Sequence, residues 1–454
     1  MPPTASMTGP DTGHPARTRI TALMAASVIV AVSLVAAVNL AIPVLLASEL
    51  HPSPAQLTWI VDAYVIVFAC LLIPAGAAGD RYGRKGVLLA GLAVFAAGCL
   101  AAALAPGTGT LIAARALSGA GAALIMPSSL ALTVGAHPAA LRGRAVATWT
   151  AATGIAGVIG NLGGGLIMEY LPWRALFAVP ALPALALAAL VAVVVPRVPR
   201  HPAALGLTGT ALLTAASVAL LAGIIEGPEA GWASVPVLGA SGAAIVLFAV
   251  FVAHQLRART PLLDPRLFAS ARLRAGTLGI AVTFFGLFAL FFVNARYLQE
   301  VKGFSPLLTG AAILPVAVPM ITLTRMAGRF RPRAAVAAGF AGNAAGLALL
   351  SFADAAMPYP LYAAGLVVMG AAMGLAVPVL SHEIMAALPR ERAGLGSGLN
   401  SATRELGSAV GVAVMSTAMT AYGMGAGFRT VAAVVLAGGL LTGWWLRTGA
   451  RGSA

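Results

Sequence analysis

Long apolar runs alternate with short polar segments rich in Arg, Gly and Pro along nearly the whole chain. A helix that crosses a bilayer needs about 20 apolar residues. Such runs lie near 20–46, 55–78, 86–105, 110–135, 144–168, 173–195, 204–225, 233–254, 275–297, 307–324, 334–353, 359–381, 394–421 and 428–446, fourteen in all. Each is predicted to be helical, because a backbone isolated in lipid must satisfy its own hydrogen bonds. The run 307–324 is the shortest. Residues 1–19 are polar and Pro-rich, with Arg17 and Arg19 just before the first run. That run is too long for the core of a cleaved signal peptide and reads as an anchor that stays in the protein.

Charge placement adds an orientation. Of the 28 Lys and Arg residues, 22 fall at the two termini and in every second loop, 4 fall in the remaining loops, and Arg115 and Arg404 lie inside runs. A bias that never reverses predicts cytoplasmic termini. Composition agrees: 60% of the 454 residues are hydrophobic and 9% charged, against about 25% charged in soluble domains. The net charge of +15 is spread over short loops rather than gathered in one patch, which argues against nucleic acid as a partner. Cys70 and Cys99 fall inside apolar runs and read as small buried hydrophobes.

The loop after the second run reads Ala78-Gly79-Asp80-Arg81-Tyr82-Gly83-Arg84-Lys85, and the loop after the tenth reads Ala327-Gly328-Arg329-Phe330-Arg331-Pro332-Arg333. These look like one motif seen twice, the second copy lacking its Asp. Repeated halves are common in secondary transporters. The expected organisation is a cytoplasmic tail (1–19), a six-helix half (20–195), two inserted spans with a linker (196–273), a second six-helix half (274–446) and a short cytoplasmic tail (447–454).

Ionisable groups inside a membrane cost at least about 2.5–3.5 kcal/mol, so each is a functional candidate. Asp62 lies about 12 Å into its run and Arg115 about 8 Å into its own, both counted from the outer side at 1.5 Å per residue. Glu405 lies about 15–18 Å from the inner end of its run, in a polar stretch with Asn400, Ser401, Thr403, Arg404 and Ser408. A carboxylic acid out of water holds its proton more readily, so Asp62 and Glu405 are candidate proton carriers. Helix geometry puts Arg404 and Glu405 about 100° apart, which favours a cavity-facing Glu405 with Arg404 snorkelling or paired elsewhere over an intramembrane ion pair that holds two helices in register. Gly154, Gly157, Gly160, Gly163, Gly164 and Gly165 form a small-residue seam suited to close helix packing. Asp80 is a candidate latch at a helix end.

Several enzyme classes find no support. There is no G-x-x-x-x-G-K-[ST] sequence, His382-Glu383 is followed by Ala386 where a zinc-protease motif needs His, and no Ser/His/Asp cluster shares a run or loop.

These motifs resemble the major facilitator superfamily. Gly76-x-x-x-Asp80-Arg81-x-Gly83-Arg84-Lys85 is similar to its loop signature, and Leu111-x-x-x-Arg115-x-x-x-Gly119-x-Gly121 to its second signature. Gly154 through Gly165 resembles the antiporter motif of drug exporters. Trp59-Ile-Val-Asp62-Ala-Tyr64 and Leu298-Gln299-x-Val301-x-Gly303-x-Ser305-Pro306 resemble the fourteen-span drug:proton antiporters of the QacA/EmrB type. The chain departs from that pattern at Leu34, where those antiporters carry an acid before the sequence Asn39-Leu-Ala41-Ile-Pro43, and at Asn161, where they carry Pro after Gly160.

The resemblance implies an all-α major facilitator fold of two six-helix halves plus two central spans. It implies Asp62, Glu405 and Arg115 in proton coupling, and Gly76, Asp80, Arg81, Gly83 and Arg84 as a conformational latch. Gly154, Gly157, Gly160, Asn161, Gly164 and Gly165 would form the antiporter seam, with Asn39, Asn400, Ser401 and Arg404 as polar cavity residues. Arg115 stands either as a modulator of the acid or as a permanent tether to backbone carbonyls. The expected activity is proton-coupled export of small amphiphiles from a monomer in the cell membrane, with no cofactor beyond the proton motive force and no metal. A dedicated exporter of one self-made metabolite, an uncoupled facilitator and a transport-dead sensor are the competing readings.

Overall fold

The computed structural model describes residues 14–138, 141–196, 207–258, 261, 263–326, 329–388 and 393–451. Residues 1–13 of the expected tail, and Ala327 and Gly328 of the second loop motif, lie outside them. Sixteen α-helices follow in chain order among the described residues: α1 (His14–Leu40), α2 (Ile42–Leu46), α3 (Pro54–Tyr82), α4 (Arg84–Ala103), α5 (Thr108–Gly135), α6 (Arg142–Tyr170), α7 (Ala175–Val194), α8 (Leu207–Ala230), α9 (Val235–Arg257), α10 (Ala271–Arg296), α11 (Pro306–Ala312), α12 (Leu314–Met326), α13 (Pro332–Leu350), α14 (Tyr359–Ala386), α15 (Ala393–Tyr422) and α16 (Met424–Arg451). No strand occurs among the described residues.

Among the described residues every apolar run falls on a helix, but three spans are not simple rods. The first breaks after Leu40, where Pro43 near the start of α2 has no N–H to continue the ladder. The second bends by 53° between Trp59–Leu72 and Pro74–Tyr82, at the proline inside α3. The tenth is split at Ile313, ahead of Pro315, into α11 and α12. The tenth is also not short: Pro306–Met326 covers 21 residues, because the Ser305 side chain caps its start and the helix continues past the last apolar residue of the run to Arg325 and Met326.

Among the described residues, twelve helices are long and apolar enough to cross a membrane, thirteen with the bent α3 included. α15 is not among them despite its 30 residues. Its Asn, Ser, Thr, Arg and Glu residues hold its hydropathy down, so apolarity alone gives twelve to thirteen spans rather than fourteen.

Packing divides along the chain. One buried core runs from Ile20 to Val195 over α1–α7, and a second runs from Leu213 to Val435 over α8–α16. A small third cluster joins Ile66, Ala69 and Cys70 of α3 to Leu221 of α8, with Leu406 and Ala409 of α15 against it. Helix α8, whose Leu213 belongs to the second core, therefore also packs along the α3–α15 seam. Within the second half, α15 lies backbone to backbone on α10. A Cβ at Gly407 or Gly411 would sit 2.2 Å from the carbonyl oxygen of Ala281 or Phe285.

At the end of the bundle that holds residues 47–53, Glu49 clasps the α6–α7 turn. Arg174 donates to Glu49 at 2.8 Å and to the carbonyls of Ala103 and Ala105 at 3.1 and 2.9 Å, and the Trp173 indole donates to Glu49 at 3.4 Å. A backbone hydrogen bond first, then Arg174 and Trp173, hold the Glu49 carboxyl below the usual carboxylate range. A depressed acid contributes its stability above the unfolded value and loses it as pH falls through the folded value. The clasp is thus complete at neutral pH and released only in acid. Hydrogen exchange at residues 47–53 should quicken as pH drops below about 4.5, after correction for intrinsic exchange, and Glu49→Gln should show fast exchange at every pH.

Candidate functional site

The charged groups inside the bundle gather from three helices. Arg115 on α5 is 1% exposed, and it reaches across to α3. Its Nε donates to the Ile60 carbonyl at 2.9 Å and Nη2 to the Val61 carbonyl at 3.2 Å. Its guanidinium also lies 4.6 Å from the centre of the Tyr64 ring, whose hydroxyl donates to the Ala31 carbonyl of α1 at 2.7 Å. The close approach is possible because Gly119, one turn further along α5, packs against the Tyr64 backbone, where a Cβ would meet the carbonyl oxygen at 2.4 Å.

Of the two readings of Arg115, the tether to backbone carbonyls is the one present in this conformation. The two acceptors immediately precede Asp62, which is half-buried and within electrostatic range of Arg115. The remaining nitrogen, Nη1, has no hydrogen-bond partner among the described residues.

Glu405 on α15 is buried and lies within electrostatic range of Tyr64. Its carboxylate pairs with the adjacent Arg404, at 3.0 Å from both Nε and Nη2. This corrects the expectation that Arg404 snorkels or pairs elsewhere. Helix geometry separates the two Cβ directions, but both side chains are long enough to fold toward each other. The Arg404 guanidinium also lies 5.6 Å from the Phe284 ring centre on α10. Ser401 is buried nearby on α15, and Asn400 accepts a hydrogen bond from Ser381 of α14 at 3.2 Å. Asn39 donates to the Val35 carbonyl within α1. Leu34, in place of the usual acid, is 1% exposed in the first core.

The loop motif closes on itself. Gly83, at φ 99°, makes the turn between α3 and α4 in a conformation that favours glycine. Arg84 holds Asp80 with bonds of 3.1 and 3.3 Å and reaches the Ala131 carbonyl of α5 at 3.3 Å. Arg81 lies over Tyr82, 5.6 Å from its ring centre, and Gly76 sits on the second limb of bent α3, Pro74–Tyr82.

The glycine seam on α6 is split in its contacts. A Cβ at Gly160 would meet the Ser33 carbonyl oxygen of α1 at 2.2 Å, and one at Gly164 would meet Ala37 at 2.8 Å. Gly165 faces α11 at Pro306, and Gly310 of α11 faces the Asn161 carbonyl in return, at 2.8 and 2.4 Å for the added Cβ. Gly154 faces Met320, whereas Gly157 and Gly163 meet nothing within 4 Å. The Asn161 side chain donates to the Gly157 carbonyl at 2.8 Å. Packing of this seam therefore joins α6 both to α1 in its own half and to α11 in the other.

Sequence reasoning missed Glu226. It lies near the end of α8 and accepts a hydrogen bond from the Trp59 indole at 2.8 Å, one turn before Asp62 on α3. Nearby, the Trp232 indole donates to Thr417 of α15 at 3.1 Å. Glu226 falls just past the apolar run and so resembles an ordinary loop acid. Nothing local ties it to a partner 167 residues away.

Comparison with known proteins agrees with this geometry. A family model described as the Major Facilitator Superfamily matches residues 23–412. The chain is 33% identical over 437 residues to the methylenomycin A resistance protein of Streptomyces coelicolor, covering 94% of this chain and 91% of that one. It is 32% identical over 372 residues to the multidrug resistance protein Stp of Mycobacterium tuberculosis, covering 81% and 69%. Among solved structures, the human organic anion transporter MFSD10 superposes with a TM-score of 0.70 at 18% identity, covering 94% of this chain and 99% of that one. The inward-open xylose transporter XylE from E. coli superposes at 0.64 and 17%, covering 93% and 95%.

Proposed function

Because the chain belongs to the major facilitator superfamily of membrane transporters, we propose that it exports small amphiphilic drugs, antibiotics or self-made metabolites in exchange for protons. The observation that carries this reading is the arrangement around Tyr64. Asp62 on α3 is half-buried and within electrostatic range of the buried Arg115, and α15, which packs against α3, carries the buried Glu405. Such groups persist in a membrane where they carry charge or protons. Relatives named for antibiotic and multidrug resistance support the export direction and the substrate class.

In this reading the termini are cytoplasmic, the protein sits in the cell membrane, and the two halves rock about the Tyr64 region to expose it to each side in turn. Asp62 takes a proton from outside and gives it up inside. Arg115, tied to the two carbonyls that precede Asp62, holds this stretch of α3 in place around the acid. One proton at 100 mV and one pH unit supplies about 3.7 kcal/mol, enough for a gradient of a few hundred-fold in a neutral solute. With Leu34 in place of a second outer acid, the favoured cargo is neutral or singly charged.

The test is substrate-induced proton movement in proteoliposomes, with a panel of amphiphiles on wild type and Asp62→Asn. Wild type should release protons on substrate addition, while Asp62→Asn should bind substrate and stay silent. Substrate movement by wild type without proton flux would make the protein a facilitator instead.

A further inference from the structure

The second copy of the loop motif has no counterpart to Asp80, and the structure puts its arginines around a cavity. This pocket has a volume of about 470 Å³ and is lined by Arg272, Arg331, Arg333, Glu383, Val379 and Leu446, where α10, α13, α14 and α16 end. Its charges are poorly balanced. Glu383 is the carboxylate in the lining, and it is drawn toward Arg272 at 3.8 Å. Arg333 donates only to the Leu446 carbonyl, at 3.3 Å, and Arg331 makes no hydrogen bond or ion pair among the described residues. In the first half the equivalent arginine, Arg84, is neutralised by Asp80 inside its own loop. Here that internal counter-ion is absent, and the arginines stand around open space.

The surroundings place the pocket at a membrane surface. Trp444 and Trp445 of α16 immediately precede the lining residue Leu446, and Arg274 lies over Trp445, 5.1 Å from its ring centre. Tryptophan pairs of this kind sit at headgroup depth. Val379 and Leu446 give the cavity an apolar wall beside its guanidinium groups. Basic pockets between spanning helices are suited to phospholipid headgroups, and planar guanidinium groups bind phosphate oxygens with paired hydrogen bonds.

We propose that this pocket binds a phosphate-bearing anion, supplied by an anionic phospholipid of the adjoining leaflet, and that the lipid takes the place held by Asp80 in the other half. The bound headgroup neutralises Arg331 and Arg333 and joins the ends of α13 and α16. The inference does not depend on what the protein transports.

The experiment is lipid retention by the purified full-length protein, read by native mass spectrometry and by thermal melting. Dioleoylphosphatidylglycerol, dioleoylphosphatidylcholine and inorganic phosphate serve as separate probes. Phosphatidylglycerol should be retained at one site and raise the melting temperature, whereas phosphatidylcholine should do neither. Arg331→Gln/Arg333→Gln, which changes two exposed side chains, should melt normally without lipid yet weaken phosphatidylglycerol retention by about tenfold or more. Arg331→Lys/Arg333→Lys should restore part of it. Equal retention by wild type and the Gln variant would overturn the proposal. So would a melting shift reproduced by millimolar inorganic phosphate alone, which would make the ligand a soluble anion.

Discussion

Glu405→Ala is expected to destabilise the folded protein by about 3–5 kcal/mol, the usual result of removing one partner of a buried ion pair. Glu405 and Arg404 have side chains only 7% and 13% exposed, and their charges meet at 3.0 Å. Truncating the acid leaves a guanidinium inside the bundle, near the Phe284 ring, without its carboxylate. Arg404→Ala/Glu405→Ala removes both charges and should recover much of the lost stability. Transport should separate from stability in these variants. If Glu405 moves protons, the double variant stays inactive although it folds, whereas if the pair is purely structural, the double variant transports. Denaturation midpoints in mild detergent and substrate efflux on the same preparations decide between these outcomes. Wild-type stability in Glu405→Ala would show that the pair is not a buried one.

Gly160→Ala is the second large effect. Its new methyl would lie 2.2 Å from the Ser33 carbonyl oxygen, and a backbone atom cannot swing aside as a side-chain tip does. α1 and α6 must separate, at a cost of about 1–3 kcal/mol by analogy with overpacked cores. Because α6 also carries Gly165 against α11, the displacement reaches the contact between the halves, and efflux should fall by about tenfold. Gly157→Ala and Gly163→Ala are the controls. Nothing lies within 4 Å of either new methyl, and alanine is the better helix former by about 0.5–1 kcal/mol. Both should melt at or above the wild-type temperature. If all three variants behave alike, the seam acts through helix propensity and not through close packing.

The helices were legible in the sequence because lipid leaves a buried backbone almost no alternative, and signals such as the Ser53-x-x-Gln56 capping box mark their ends. The breaks were less legible. Pro43 and Pro315 stop their helices, whereas Pro127 and Pro378 lie inside continuous ones. The proline itself is the same signal in both cases, so the sequence does not separate a break from a tolerated proline. Of the site, Asp62, Arg115 and Glu405 stood out because charge is rare in an apolar run. The carbonyl acceptors of Arg115 carry no such mark, since every residue has a carbonyl. The Glu226–Trp59 bond depends on how an inserted helix lies across two halves, which no spacing encodes. The Arg404–Glu405 pair was missed because backbone angle was weighed and side-chain reach was not.

The polarity of α15 has a consequence for how the protein is made. A segment with Asn400, Ser401, Arg404 and Glu405 along its middle gains too little from lipid to leave an insertion channel by itself, since each central charge costs about 2.5–3.5 kcal/mol on insertion scales. Its shelter is the surface of α10, where Gly407 and Gly411 let the two backbones touch, together with α16, which follows it in the chain. During biogenesis α15 must therefore wait beside the channel until its neighbours assemble around it. A chain ending before α16 would present an unshielded polar helix to the membrane and to the proteases that patrol it.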